Sequence, residues 1–257
     1  MKYDIAVGTY HKTGTVWMRK TLETLANRLG LPLFRMSRHQ VRWKTEADLK
    51  ALYAGHLAGL RAAGDHGFFF DSHSVFPADM DWSGFRGFRV VRDPRDVVLS
   101  AIGYHGRSDE KWLHKPKPEW GGMTYAEKIN SIDAFDDKIR FEMDNSAGRV
   151  VARMVAGCDL GFETVRYEDL IVDRDMEVWS GLMGRLGLDA AEVGVARQAF
   201  WDNSLFGKLA GADRAPGHVS DGGIAQWKRK LSAAQIGLIE ARFGDQIARL
   251  GYGIQGR

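Results

Sequence analysis

Val7-Gly8-Thr9-Tyr10-His11-Lys12-Thr13-Gly14-Thr15-Val16-Trp17 is the stretch on which the reading of this chain turns. Before it, Tyr3 to Val7 is a short run rich in apolar and β-branched residues, broken only by Asp4. After it, Met18, Leu22, Leu25 and Leu29 recur at helical spacing, and Gly30 is a stop signal. The order read here is strand, tight loop, helix. Such a loop aims backbone N–H groups and the positive end of a helix at one point, which makes an anion site. Gly14 would let the backbone come close to the anion, Lys12 supplies mobile charge, and Thr13 and Thr15 supply hydroxyl donors.

Composition bounds what surrounds that loop. The chain has 257 residues, enough for one α/β domain with a substantial core, or two small ones. Hydrophobic residues make up 44% and charged residues 27%, ordinary values that exclude a disordered or fibrous class. The net charge of +3 suits an anionic ligand, and Lys and Arg are spread along the chain, which argues against nucleic acid as a partner. One cysteine, Cys158, rules out an intramolecular disulfide and a Cys-based metal cluster. No apolar run reaches the length of a membrane span, so a cytoplasmic enzyme without a membrane partner is the expectation. Without repeats or Pro/Ser-rich linkers, residues 1–257 read as a single domain.

Along the chain, strands are expected at Leu31–Met36, Phe68–Phe70, Phe88–Val91 and Glu163–Tyr167. Helices are expected at Thr45–Leu60, from Pro94 to about Tyr104, at Tyr125–Met143, Ala147–Ala156, Asp175–Leu186, Ala190–Phe200 and Ser232–Leu250. Asp93 is a good N-cap with Pro94 at the first helical position, and Asp96 stands where it can close a capping box. Gly106–Gly122, polar with two prolines, reads as a long mobile loop of the kind that forms lids. Strands alternating with helices imply an α/β fold with a mostly parallel sheet covered on both faces, whose ligands bind at the carboxyl ends of the strands.

The loop fails the nucleotide-triphosphate pattern G-x-x-x-x-G-K-[ST], because its lysine precedes its glycine. Lysine ahead of glycine, with Trp closing the loop, resembles the phosphosulfate-binding loop of sulfotransferases, T-Y-P-K-S-G-T-x-W. His11 stands in place of the Pro and Thr13 in place of the Ser. A second segment, Arg92-Asp93-Pro94-Arg95-Asp96-Val97-Val98-Leu99-Ser100, resembles the family's 3′-phosphate segment R-[ND]-P-[KR]-D-V-x-x-S at every specified position. His73, in Asp71-Ser72-His73-Ser74, resembles the general-base histidine of a K-T-H-x segment, with Asp71 where the family has Lys. Imidazole suits a base working near neutrality. Tyr167-Glu168-Asp169-Leu170 is similar to Y-E-D-[LM]. Asn203–Leu209 resembles S-F-x-x-[LM] loosely and would set Phe206 against adenine. Gly222–Lys228 looks like a degraded R-K-G-x-x-G-D-W-[KR] loop: Gly222 and Trp227 keep their places, Ser220 and Asp221 replace Arg-Lys, and Ala225 and Gln226 replace Gly-Asp. Arg214 is the candidate substitute for that missing clamp.

The resemblance implies a P-loop-like three-layer α/β/α fold with a central mostly parallel sheet. It also implies sulfuryl transfer from 3′-phosphoadenosine-5′-phosphosulfate (PAPS) to a small-molecule hydroxyl, leaving PAP, with no metal. The candidate catalytic residues are Lys12, His73 and Ser100. The donor would be held by Lys12, Thr13, Gly14, Thr15, Val16, Trp17, Arg92, Ser100, Tyr167, Phe206 and Gly222. His11 and His105 compete for a part in acceptor activation, and Trp43, Trp82, Trp112, Trp120 and Tyr104 are candidates to line an apolar acceptor pocket. The alternatives are a P-loop-type small-molecule kinase and a non-catalytic nucleotide-binding module with a decayed site. Oligomeric state is open, a homodimer included.

Overall fold

Five strands build the sheet: β1 (Asp4–Gly8), β2 (Leu33–Met36), β3 (Phe68–Asp71), β4 (Phe85–Val91) and β5 (Glu163–Arg166). All neighbouring pairs are parallel, in the order β2-β3-β1-β4-β5. The structure is a computed structural model and describes residues 1–36, 45–64, 66–77, 79–207 and 223–254. It falls into two compact units, one from Met1–Val91 and Ala156–Ala212, the other from Arg92–Val155 and Asp213–Arg257.

The sheet belongs to the first unit, and its sequence shows why it is buried on both faces. Every residue of β1 is buried, so strict alternation of polar and apolar residues is absent, as expected for a covered parallel strand. Ile5, Val7, Phe68, Phe70, Phe88 and Val90 point to one face. There they meet α1 (Thr15–Leu29), α8 (Glu177–Arg185) and α9 (Ala190–Asn203), through residues such as Leu22, Trp179 and Phe200. Ala6 and Phe69 point to the other face and meet Tyr53, Leu57 and Leu60 of α2 (Glu46–Ala63). Helix, sheet and helix thus form three layers. Each fully buried Phe or Leu contributes about 1.5–3 kcal/mol.

The second unit is helical among its described residues: α3 (Pro94–His105), α4 (Tyr125–Asn130), α5 (Phe135–Asp144), α6 (Ser146–Ala156), α10 (Trp227–Lys230) and α11 (Ala233–Arg249). Where one helix was expected over 125–143, the chain breaks between α4 and α5. Thr124 and Glu127 close a capping box at the start of α4, and the run Ser131–Ala134 interrupts the helical ladder. Residues 106–122 are not an open lid. They fold into two 3₁₀ turns, bury Leu113, and pack Trp112 and Trp120 on Tyr125 at ring-centroid distances of 5.2 and 5.5 Å. The last expected strand ends at Arg166, and Tyr167 instead opens a short helix, α7 (Tyr167–Ile171).

Candidate functional site

Parallel register fixes which segments leave the sheet together. Gly8 at the end of β1 stands opposite Asp71 of β3 and Arg89 of β4. The anion loop therefore leaves the same sheet edge as the segment carrying His73. β4 runs on to Val91, and Arg92 is the next residue.

The loop is held by its own hydroxyls. Thr13 Oγ1 accepts from the Tyr10 amide at 2.9 Å and donates to the Tyr10 carbonyl at 3.0 Å, while Thr15 Oγ1 donates to the same carbonyl at 2.9 Å. Both threonines, expected as donors to an anion, thus fix the loop's curvature in this structure. Lys12 has φ 68° and Gly14 φ 89°, so the backbone takes the left-handed region twice within three residues. That conformation favours glycine at 14, where a Cβ would also lie 3.1 Å from the Tyr167 ring. Helix α1 starts at Thr15 with no side-chain cap and no acidic residue in its first turn, whereas α2, α4, α9 and α11 each carry a capping box. An N-terminus left uncapped by the protein is a place for an external anion.

Around it the structure gathers the expected aromatic residues. Trp17 lies edge-on to Tyr167 at 6.3 Å and tilted on Phe200 at 5.1 Å, and Phe200 meets Phe206 at 6.1 Å. The buried Trp17 Nε1 and Thr9 Oγ1 have no hydrogen-bond partner among the described residues. Uncapped amides, a close-approach glycine and orphaned donors fit a phosphate-bearing ligand. Val16 is exposed on the first turn of α1.

Asp71, found where the resemblance puts a lysine, is fully buried. Its Oδ1 accepts from the His73 amide at 2.7 Å, its Oδ2 accepts from the Val75 amide at 2.9 Å, and the Tyr53 hydroxyl donates to it as well. It is the cap that fixes the chain after β3 and with it the backbone of His73. Ser74, the next residue, has φ 46°, a strained value for a side-chain-bearing residue. The sequence signal for this role was visible: an Asp just past an apolar strand is a common turn former.

In the second unit, Asp93 caps α3 as expected, accepting from the Arg95 amide at 2.9 Å. Asp96 does not close a capping box. It accepts from the Trp227 amide at 3.0 Å and faces Arg92 at 3.6 Å. Arg95 is fully engaged in structure: it pairs with Asp93 and Glu240, donates to the Gly253 carbonyl and lies 3.8 Å over the Trp227 ring. Ser100 sits half-buried on α3. His105 is fully buried against Glu142, Nδ1 to Oε1 at 2.6 Å, which places it in the core rather than on a pocket wall. Tyr104 donates to Glu110 at 2.8 Å, and burial pushes its phenol up to about 12. Trp82 packs among Phe76, Phe85 and Phe162. A cavity of about 380 Å³ beside it opens at the starts of β4 and β5, the sheet end opposite the anion loop, and so does not belong to this site. Trp43, Arg214, Ser220, Asp221 and Gly222 lie outside the described residues.

Ala225 has φ 49° at the position where the resemblance calls for glycine, so the turn keeps a glycine-like backbone without the glycine. Ala225→Gly is expected to stabilise the chain by about 1 kcal/mol, the cost of left-handed backbone less the entropy of glycine. A urea midpoint that rises at constant slope confirms this; a midpoint that falls shows that the methyl contacts outweigh the strain.

Three solved structures are similar to this chain in fold. Mouse sulfotransferase SULT7A1 complexed with PAP aligns with a TM-score of 0.57 at 14% identity, over 96% of this chain and 84% of that one. The chain has the sulfotransferase fold. The same fold aligns with retinol dehydratase in complex with androsterone and the inactive cofactor PAP, with a TM-score of 0.53 at 15% identity, over 99% of this chain and 83% of that one. It also aligns with retinol dehydratase in complex with retinol and PAP, with a TM-score of 0.51 at 16% identity, over 95% and 81%. No protein-family model and no curated relative matches the sequence. Among the described residues, no helix is long and apolar enough to cross a membrane, and no group of three or more His, Cys, Asp or Glu is placed to hold a metal.

Proposed function

We propose that this chain is a PAPS-dependent sulfotransferase acting, as one catalytic domain, on a hydroxyl of an apolar small molecule. The observation that carries the proposal is the lysine-before-glycine loop. Within a sulfotransferase fold it forms an uncapped helix N-terminus, left-handed at Lys12 and Gly14, with Trp17 and Tyr167 packed beside it. The three structural neighbours were solved with PAP, and two of them with androsterone or retinol.

PAPS supplies an activated sulfuryl group on its 5′-phosphate. His73 takes the proton of the acceptor hydroxyl while that oxygen bonds to sulfur. Lys12 and the first-turn amides of α1 receive the negative charge that grows on the bridging oxygen as its bond to sulfur breaks. Arg92 and Ser100 hold the 3′-phosphate, and Trp17, Tyr167 and Phe206 hold the adenosine. In-line geometry and charge neutralisation are what such a transfer requires, as in phosphoryl transfer.

The test is single-turnover transfer of radiolabelled sulfate from PAPS to a panel of apolar phenols and alcohols, beside calorimetric titration with PAP and with Mg-ATP. PAP is expected to titrate and label to appear on acceptor. Binding of ATP with no response to PAP would replace the proposal with the kinase reading.

A further inference from the structure

Arg92 lies between the end of β4 and the N-cap of α3, and Asp96 in the first turn of α3, with side chains 6% and 0% exposed and Nη2 3.6 Å from Oδ2. The Arg92 Nη2 also donates to the Gly223 carbonyl at 3.3 Å. Asp96 Oδ1 accepts the Trp227 amide at 3.0 Å, while Oδ2 has no hydrogen-bond partner among the described residues. A buried carboxylate oxygen that faces a guanidinium without a close hydrogen bond calls for an explanation. Burial, with the neighbouring charge of Asp93, holds this carboxyl above its ordinary range against the opposing pull of Arg92 and the amides of Trp227 and Ala225. The segment that Arg92 and Asp96 grip, Gly223–Trp227, is the one that holds Ala225 at φ 49°. A rigid guanidinium fork tied at a carbonyl and facing a carboxylate has its direction set before any ligand arrives, so less ordering remains to oppose binding.

We infer that Asp96 is the positioning residue for Arg92, and that through this pair the chain couples recognition of a nucleotide 3′-phosphate to the Gly223–Trp227 turn. The inference rests on the donor proposed above and adds the device that separates donors with a 3′-phosphate from those without one. Asp96 touches no part of the nucleotide. It acts by fixing Arg92 on one side and the turn on the other.

The test compares PAP with adenosine 5′-phosphate in calorimetric titrations. Wild-type chain is expected to prefer PAP by about 100-fold, the scale of two charge-assisted hydrogen bonds. Asp96→Asn keeps an oxygen for the Trp227 amide and removes the charge facing Arg92. It should cut that preference about tenfold while leaving the affinity for adenosine 5′-phosphate in place. In an Arg92→Ala background the same substitution should change the preference no further. Equal loss for both nucleotides, or full additivity in the double variant, overturns the inference. Amide exchange on the wild-type chain gives a reading that needs no variant: PAP should slow exchange in residues 223–230 more than adenosine 5′-phosphate does, and equal protection overturns the coupling. A wild-type chain with no preference for PAP removes the donor reading and this inference with it. A preference that survives Asp96→Asn removes this inference alone.

Discussion

Lys12→Ala is expected to lower kcat by about 10²–10³, the loss that follows removal of one preorganised donor to a developing oxyanion. The loop explains the size. Lys12 sits at φ 68° between a threonine clamped to Tyr10 and the turn at His11, so its backbone position is dictated by the fold and only the side chain is removed. Binding of PAP should weaken far less than kcat, because the first-turn amides of α1 remain to meet the 5′-phosphate. The split between kcat and donor KM is the measurement. A variant with near-wild-type turnover and a raised donor KM would assign Lys12 to ground-state binding alone.

His73→Gln is expected to give the second large effect, a fall in kcat of about 10²–10⁴, the range of a lost general base. Glutamine keeps hydrogen-bonding capacity but cannot take the acceptor proton. The Asp71 cap, which bonds the backbone amide of residue 73, should leave the chain's path after β3 intact. The limb of the pH–rate profile that reports base ionisation should vanish with the activity. If the limb persists and kcat drops less than threefold, the base lies elsewhere, with His11 the next candidate ahead of His105, which is buried against Glu142.

The legible parts of the chain were those governed by short-range rules. The run Phe68–Phe70, the helix start at Asp93-Pro94 and the glycine stop at Gly30 are local signals, and each element forms where they point. The misread parts depend on partners distant in sequence. Asp96 has the spacing of a capping box, yet its carboxylate is claimed by the Trp227 amide, 131 residues away. Residues 106–122 read as loop by composition, but their two tryptophans find Tyr125 and turn a polar stretch into a small core. Tyr167 continues the β-rich pattern of Glu163–Arg166 and yet starts a helix, because the sheet ends there and its ring is needed against Gly14. At the site, the residue types were legible and their partners within the chain were not: nothing in the spacing of Thr13 and Thr15 announces that both hydroxyls donate to the Tyr10 carbonyl. Asp71, an apparent departure from the family pattern, is a buried turn cap whose partner Tyr53 lies on α2, 18 positions upstream.

The proposed function requires that the Lys12–Trp17 loop and the Arg92/Ser100 segment grip the two ends of one nucleotide. A crystal structure of this chain grown with PAP tests it most directly. The 5′-phosphate is expected on the first-turn amides of α1 beside Lys12, and the 3′-phosphate on Arg92 and Ser100. PAP bound by one segment only, with its other phosphate in solvent, would contradict it.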